Sequence, residues 1–441
     1  MLRPDNAGMV DIQQFLENRA KTKENWVNDW FRDTFYLLPR ESVLATSPGA
    51  LFLKRRFSGV SGQIEFAGQL AICLFEMQRA IHRCDHISAA SLESIETAQF
   101  LLSIDDGAVD DEATSQSQAL QVLHGGGPNK NGANRWFDKC FQVHVSPWGQ
   151  FSSTFEHAPT EGLLMTISDE LVVDLIESWT EREAATCKID SPKLLQFNFD
   201  SELVTAVEKA ARSSKINAET IDGQITTFND FGAALLKLHK ISPDAFFQLA
   251  LQLAYFKLHR KLGPQFGVVT MRTFRHGRTD SVRQPTTETA SFIQAMEDDD
   301  CPIVKRASLL REAANVHKVL TLEAMRGQGI ERHLWSLQLA ASELGMKAPK
   351  LHSHPSYRNM MDLRLVASQV PTKCDSTVLM PPLHRGCYMC GYNPQRDKII
   401  FSVTALKSSE GPSAKRFAEV VSQTLREMRS LLELAAQETT K

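Results

Sequence analysis

The stretch KISPDAFFQLALQLAYFKLHRK constrains the fold most, because its body (Phe246, Phe247, Leu249, Leu251, Leu253, Ala254, Phe256) is apolar nearly all round. A helix of that kind is expected to be buried, so other elements must enclose it. Its start is well specified. Ser242 can cap the first turn, Pro243 suits the first helical position and Asp244 favours the positive end of the helix. With 441 residues the chain exceeds one hydrophobic core, and two large domains are expected.

The basic and acidic residues, 49 against 52, nearly balance, so nothing points to a nucleic-acid or acidic-membrane surface. A small-molecule or protein partner is expected instead. The eight scattered cysteines read as a reducing compartment. Cys387 and Cys390 could form half of a metal site with His384, but no second pair stands at zinc-finger spacing, and Gly386, Tyr388 and Gly391 suggest a strand. No metal is expected. No apolar run is long enough to span a bilayer, the first twenty residues read neither as a secretory signal nor as a transit peptide, and QETTK is not a peroxisomal tail.

Along the chain, residues Asp11 to Tyr36 fit one or two amphipathic helices, and Gly62 to His82 fits another. Between Cys84 and Gln121 only SLESIETAQFLLSI reads as structured, and the rest of that polar stretch reads as a loop or connection. LHGGGPNKNGANR, Leu123 to Arg135, lacks the Gly-Lys-Ser/Thr ending of a phosphate loop and reads as flexible. WFDKCFQVHV alternates as a strand, and SPWGQ turns into a second strand that delivers FEHAPTEG. The polar stretch Thr180 to Pro192 reads as the domain boundary. LLQFNF then reads as a strand and ELVTAVEKAARSS as a helix. Asp375 to Leu406 reads as hairpin strands, and Pro412 to Ala436 as an amphipathic helix.

His157, flanked by Glu156 and Glu161 just after a strand-like run, is a chemically sensible general base because its ordinary pKa lies near neutrality. On spacing alone an ordinary surface or satisfied core histidine is the commoner case. Lys237 and Lys240 beside the start of the apolar helix suit an anion, or simply form a solvated face.

The motifs LHGGG…NRWFDK, FEHAPTEG, KISPDAFFQLALQLAY, TFRHGRTDSVR, MRGQGIERHL and SQVP together resemble the carnitine/choline acyltransferase family. That resemblance implies an α/β fold of two domains of the CoA-dependent acyltransferase type, each a mixed sheet flanked by helices, with the active-site tunnel at their interface. The domains would be residues 1–192, carrying the catalytic histidine, and 193–441, carrying the CoA and carnitine contacts. It implies reversible transfer of a short acyl group between CoA and carnitine, with choline or another amino alcohol as alternative acceptor and a non-catalytic binding module as alternative role. No tightly bound cofactor is implied, since acyl-CoA and CoA are substrates. A monomer in a mitochondrion or peroxisome is expected.

By the same resemblance His157 takes the proton, Ser368 faces the developing oxyanion, and Glu161 pairs with Arg278 to brace the histidine loop. Lys237, Lys240, Ser242, Asp244, Lys318 and Gln369 fall on CoA-binding positions. Thr279 and Arg332 fall on contacts to the carnitine carboxylate, which choline lacks. Val378 falls where short-chain members close the acyl pocket. The family tyrosine that touches the carboxylate is Phe266 here, the Ser-Thr-Ser element reads Val366-Ala367-Ser368, and one CoA lysine is Ala233. A long first-domain stretch is missing between about Cys84 and Ile104.

Overall fold

A computed structural model describes residues 7–34, 49–52, 86–106, 114–137, 139–146, 151–157, 161–178, 193–407 and 413–439. Two sheets organise them. The first has five strands, β1 (Gly49–Phe52), β2 (Leu101–Ile104), β3 (Phe141–Val145), β4 (Phe151–Phe155) and, from the second half of the chain, β9 (Ser376–Leu379), in the order β2-β3-β4-β1-β9. The second sheet is built from β5 (Ile221–Phe228), β6 (Gln265–Thr270), β7 (Thr279–Gln284), β8 (Leu365–Gln369), β10 (Tyr388–Pro394) and β11 (Ile399–Leu406), in the order β5-β11-β10-β8-β6-β7. Both are mixed: β2 runs parallel to β3, and β8 runs parallel to β6 and β10, while the other pairings are antiparallel.

The strand β9 (Ser376–Leu379) joins the halves, pairing antiparallel with β1 in the first sheet. There it crosses over the β10–β11 hairpin. Ser402 Oγ donates to the Val378 carbonyl at 2.6 Å, and a side chain at Gly391 would begin 2.0 Å from that same oxygen. Only glycine permits so close a crossing.

The helix Pro243–His259 has every residue from Ala245 to Tyr255 buried, as its composition requires. It packs against the helices Thr287–Glu297, Ile303–Glu323 and Ala414–Thr439. In the last of these Phe417, Val421, Leu425, Met428 and Leu432 are all buried, a stripe at helical spacing facing the core.

Three expectations are corrected. SLESIETAQFLLSI is structured as expected, in the helix His86–Thr97 and β2, but the polar stretch after it also holds a helix, Ser115–His124, capped by Thr114, whose side chain accepts from the Ser117 amide. LLQFNF pairs with no strand; side-chain hydroxyls of Ser88 and Ser91 bind its backbone amides instead. Trp136, Phe137, Lys139 and Cys140 are not strand either, so β3 begins at Phe141. The expected helix Gly62–His82 and the boundary Thr180–Pro192 lie outside the described residues.

The glycine motif is held tightly. The Gly132 amide donates to the carbonyls of Gly125 and Gly127 at 3.0 and 3.1 Å, and Gly125 takes φ +62°. Arg135, fully buried, forms two hydrogen bonds of 2.6 and 2.7 Å with Asp105 at the end of β2. Lys139 donates to the Ile95 and Glu96 carbonyls, satisfying the end of the helix His86–Thr97. Polar residues of the motif therefore anchor the sheet that carries β4. Asp105→Ala would leave a buried guanidinium unpaired, so a loss of about 3–5 kcal/mol is expected in urea or thermal unfolding.

Candidate active site

His157 lies two residues beyond Phe155, the last residue of β4, and Glu161 directly precedes the helix Gly162–Ser178. Residues 158–160 lie outside the described set. The two side chains approach to 3.7 Å, Nε2 to Oε2. Arg278, from just before β7, donates to Glu161 Oε1 and, at 2.5 Å, to the His157 carbonyl, with the ring Nδ1 3.2 Å away. The pairing of Arg278 with Glu161 expected from the sequence is thus present, and it is mostly enclosed by protein. Burial pushes the His157 pKa below its ordinary value, Glu161 opposes that shift and Arg278 adds to it. A neutral imidazole at pH 7 follows, the form able to accept a proton.

The second sheet presents the other expected residues on one face. Phe266 sits opposite Arg283 on one side and Val366 on the other. Side chains alternate along a strand, so Thr279 and Arg283 share this face with Phe266, Val366 and Ser368. Arg332, at the start of the helix Glu331–Glu343, donates through Nε to the Thr279 carbonyl at 2.9 Å, with Nη2 3.4 Å from Thr279 Oγ1. Thr279 and Arg332, expected to work together, are in contact. Phe266 lies under the Arg283 guanidinium, 5.2 Å from its ring centre, and packs with Val366 and Met389. Val378 is buried in a different cluster with Phe151, Val173 and Val370.

Ser242 caps the apolar helix, its Oγ accepting from the Ala245 amide. Asp244 accepts from Tyr392, and His317 Nε2 stands 3.1 Å from its other oxygen. Burial raises its pKa, but the bonds from His317 and Tyr392 outweigh that and hold it below the usual carboxylate range. The network continues through Gln248, which donates to Tyr392 Oη at 2.8 Å. Lys318 directly follows His317 and is exposed, as are Lys237 and Lys240; Gln369 ends β8, half-buried. A cleft of about 560 Å³ lined by Thr372, Lys373, Arg396 and Lys398, among others, contains none of the expected site residues.

Sequence reasoning missed several contributors. The Phe31 ring carries the Arg332 guanidinium 4.1 Å from its centre and that of Arg278 at 5.8 Å. One aromatic residue thus spans the histidine brace and the Thr279–Arg332 pair, although its position in an amphipathic helix signalled only packing. His317 and Tyr392 gave no local signal. Cys387 and Cys390 are buried, and among the described residues no group of three or more His, Cys, Asp or Glu is placed to hold a metal.

The profile of the family described as Choline/Carnitine o-acyltransferase matches residues 8–85 and 75–423, most of the chain. The chain belongs to the choline/carnitine acyltransferase family. Pigeon (Columba livia) carnitine O-acetyltransferase is 35% identical, with 96% of this chain and 86% of the relative covered. The rat enzyme of the same name is 27% identical with the same coverage. Human choline O-acetyltransferase is 32% identical over 79% of this chain and 47% of its own length. Solved structures give looser likenesses, among them a trichothecene 15-O-acetyltransferase from Fusarium sporotrichioides (TM-score 0.45, 10% identity, 88% of this chain and 90% of that one). Family membership makes the chain a CoA-dependent acyltransferase. The rat alignment runs over 541 positions, more than the 441 residues of this chain, so the relative carries residues without counterpart here. The family profile matches in two pieces that meet at residues 75–85, next to the place where the sequence reads as shortened. Among the described residues no helix is long and apolar enough to cross a membrane.

One more buried acid lies on the helix that follows the histidine loop. Asp169, on the helix Gly162–Ser178, accepts from Ser153 of β4 at 2.9 Å, and burial, only partly offset by that bond, pushes its pKa up to about 7. Because the folded value exceeds the unfolded one, its contribution to stability is present below pH 4 and is lost as pH rises through 7. Asp169→Asn is therefore expected to raise stability at pH 8 by about 2–4 kcal/mol and to change it little at pH 4, read from urea unfolding at both.

Proposed function

We propose that this acyltransferase moves a short acyl group between CoA and carnitine, with His157 as the general base. The observation that carries the reading is the cluster His157–Arg278–Glu161 beside Thr279–Arg332, joined across the Phe31 ring. His157 accepts the proton of the carnitine hydroxyl as its oxygen attacks the acyl carbonyl of acyl-CoA, and returns it to the CoA sulfur as the carbon–sulfur bond breaks; the reverse reaction starts from the CoA thiol and returns the proton to the carnitine oxygen. Arg278 and Glu161 position the imidazole. Ser368 donates to the oxyanion that develops on the carbonyl, a type of contact worth about 3 kcal/mol of barrier. Arg332 and Thr279 hold the carboxylate of carnitine, and Lys237, Lys240, Ser242, Asp244, Lys318 and Gln369 bind CoA. The transfer is direct, so no nucleophilic side chain is required.

Two domains, 1–192 and 193–441, meet at this cluster, and the protein works as a monomer in a mitochondrial or peroxisomal compartment. The half-buried Phe266, which offers no hydroxyl, favours a second reading with choline or another amino alcohol as acceptor. Thiol release from acetyl-CoA with carnitine, choline or buffer separates the two. Equal release in all three would defeat both.

His157→Ala is expected to lower turnover by about a hundredfold or more. In the parent, the acidic limb of kcat/KM should lie below pH 6.5, because the histidine pKa is depressed. Glu161→Gln removes the group that raises that pKa, so the limb should move to still lower pH. A limb that moves upward, or full turnover in His157→Ala, would refute the assignment.

Val378 supports the short-chain preference, since it is buried at the strand that crosses between the sheets. Acetyl-CoA and propionyl-CoA are expected to outperform octanoyl-CoA, and Val378→Gly to reverse that order, as pocket methylenes discriminate by about 1–3 kcal/mol. Chain-length profiles of the two proteins provide the check.

A further inference from the structure

The enclosed stripe of the helix Gly162–Ser178 carries an acid where packing alone would place an apolar residue. Its buried residues are Thr166, Asp169 and Val173. Thr166 returns its hydroxyl to the helix, donating to the carbonyls of Gly162 and Leu163 at 3.2 and 3.0 Å. Asp169 is only 2% exposed, and among the described residues its one hydrogen-bond partner is the equally buried Ser153. A carboxylate can accept more bonds than that, and enclosing one with a single partner is unfavourable.

The pair stands on the wall of the proposed acyl pocket. Alternation puts Phe151, Ser153 and Phe155 on one face of β4, and the helix lies over that face. A side chain at Gly162 would begin 3.6 Å from the Phe155 ring, Asp169 meets Ser153, and Val173 clusters with Phe151. Phe155 in turn stands beside His157, their ring centres 5.7 Å apart. Three levels thus lead away from the histidine, and the polar pair is the middle one. Ser153 and Val378 both pair with Ala50, from its two sides, so they stand in one row across the first sheet and point to the same face. Val378 shares its cluster with Phe151 and Val173, which adjoin Ser153 on the strand face and Asp169 on the helix stripe. An apolar pocket with a few placed polar groups is the usual form of a site that orients its ligand.

We propose that Asp169, held by Ser153, hydrogen-bonds a hydroxyl on the acyl chain, so that the preferred donor is the CoA thioester of a short hydroxy acid such as a hydroxybutyrate. The inference rests on the reading of Val378 as part of the acyl pocket and names the class of acyl group that pocket takes. A hydroxyl suits the site whether or not the carboxyl is ionised, since it donates to a carboxylate and accepts from the acid. A dicarboxylic acyl group would bring a second anion against Asp169 and is disfavoured.

The test is kcat/KM of the full chain for acetyl-, butyryl-, 3-hydroxybutyryl-, 4-hydroxybutyryl- and succinyl-CoA, with carnitine and with choline as acceptor. The parent is expected to favour one of the hydroxybutyryl thioesters over butyryl-CoA by about tenfold and to use succinyl-CoA least. Asp169→Val should abolish that preference, whereas Asp169→Asn, which keeps a hydrogen-bonding group, should retain it. The ratio of two substrates in one preparation does not depend on how much of the protein is folded, so a poorly folding variant cannot mimic the effect. A parent that uses acetyl-CoA but favours butyryl-CoA over both hydroxybutyryl thioesters overturns the role of Asp169 and leaves the acyltransferase reading standing. A preference that survives in Asp169→Val does the same. Thiol release no greater than in buffer, from every thioester and with both acceptors, overturns that reading and this inference with it.

Discussion

Arg278 couples the two halves of the site. It bonds Glu161 and the carbonyl of His157, both from the first half of the chain, while standing next to Thr279 at the start of β7. Its partners are largely shielded from water, where a charge pair is felt strongly and where removal of one member leaves the other exposed to the full desolvation cost. The same guanidinium lowers the histidine pKa that Glu161 raises, so position and basicity are set by one cluster. An arginine is suited to this because its planar fork can serve a carboxylate and a carbonyl together.

Around that cluster the fold supplies rigidity by crossing and by burial. β9 leaves the second half to complete the first sheet and passes over Gly391 with no room for a side chain. The Arg135–Asp105 pair and the glycine turn fix the strands behind β4. On the second sheet, the chain from Gln248 through Tyr392 to Asp244 and His317 orders the start of the apolar helix. Elsewhere the first half is less well covered. Phe100 and Leu102, beside or on the edge strand β2, are exposed, and so are Leu164, Ile167, Leu171 and Leu175 along one stripe of the helix that follows His157.

What the sequence determined by itself was whatever depends on near neighbours. The apolar helix and its Ser242 cap, the strand end that carries His157, and the amphipathic helix Ala414–Thr439 were legible because periodicity and capping act within one or two turns. The glycine motif misled for the same reason: its residues favour turns, and nothing local tells that Arg135 is buried against Asp105. Beyond the Arg278–Glu161 and Thr279–Arg332 associations that the family resemblance implied, only the tertiary structure decided which side chains meet. Arg278 lies 121 residues from His157, and Tyr392 lies 148 from Asp244. Their contacts arise from sheet register and the crossing of β9, and spacing along the chain carries no trace of either.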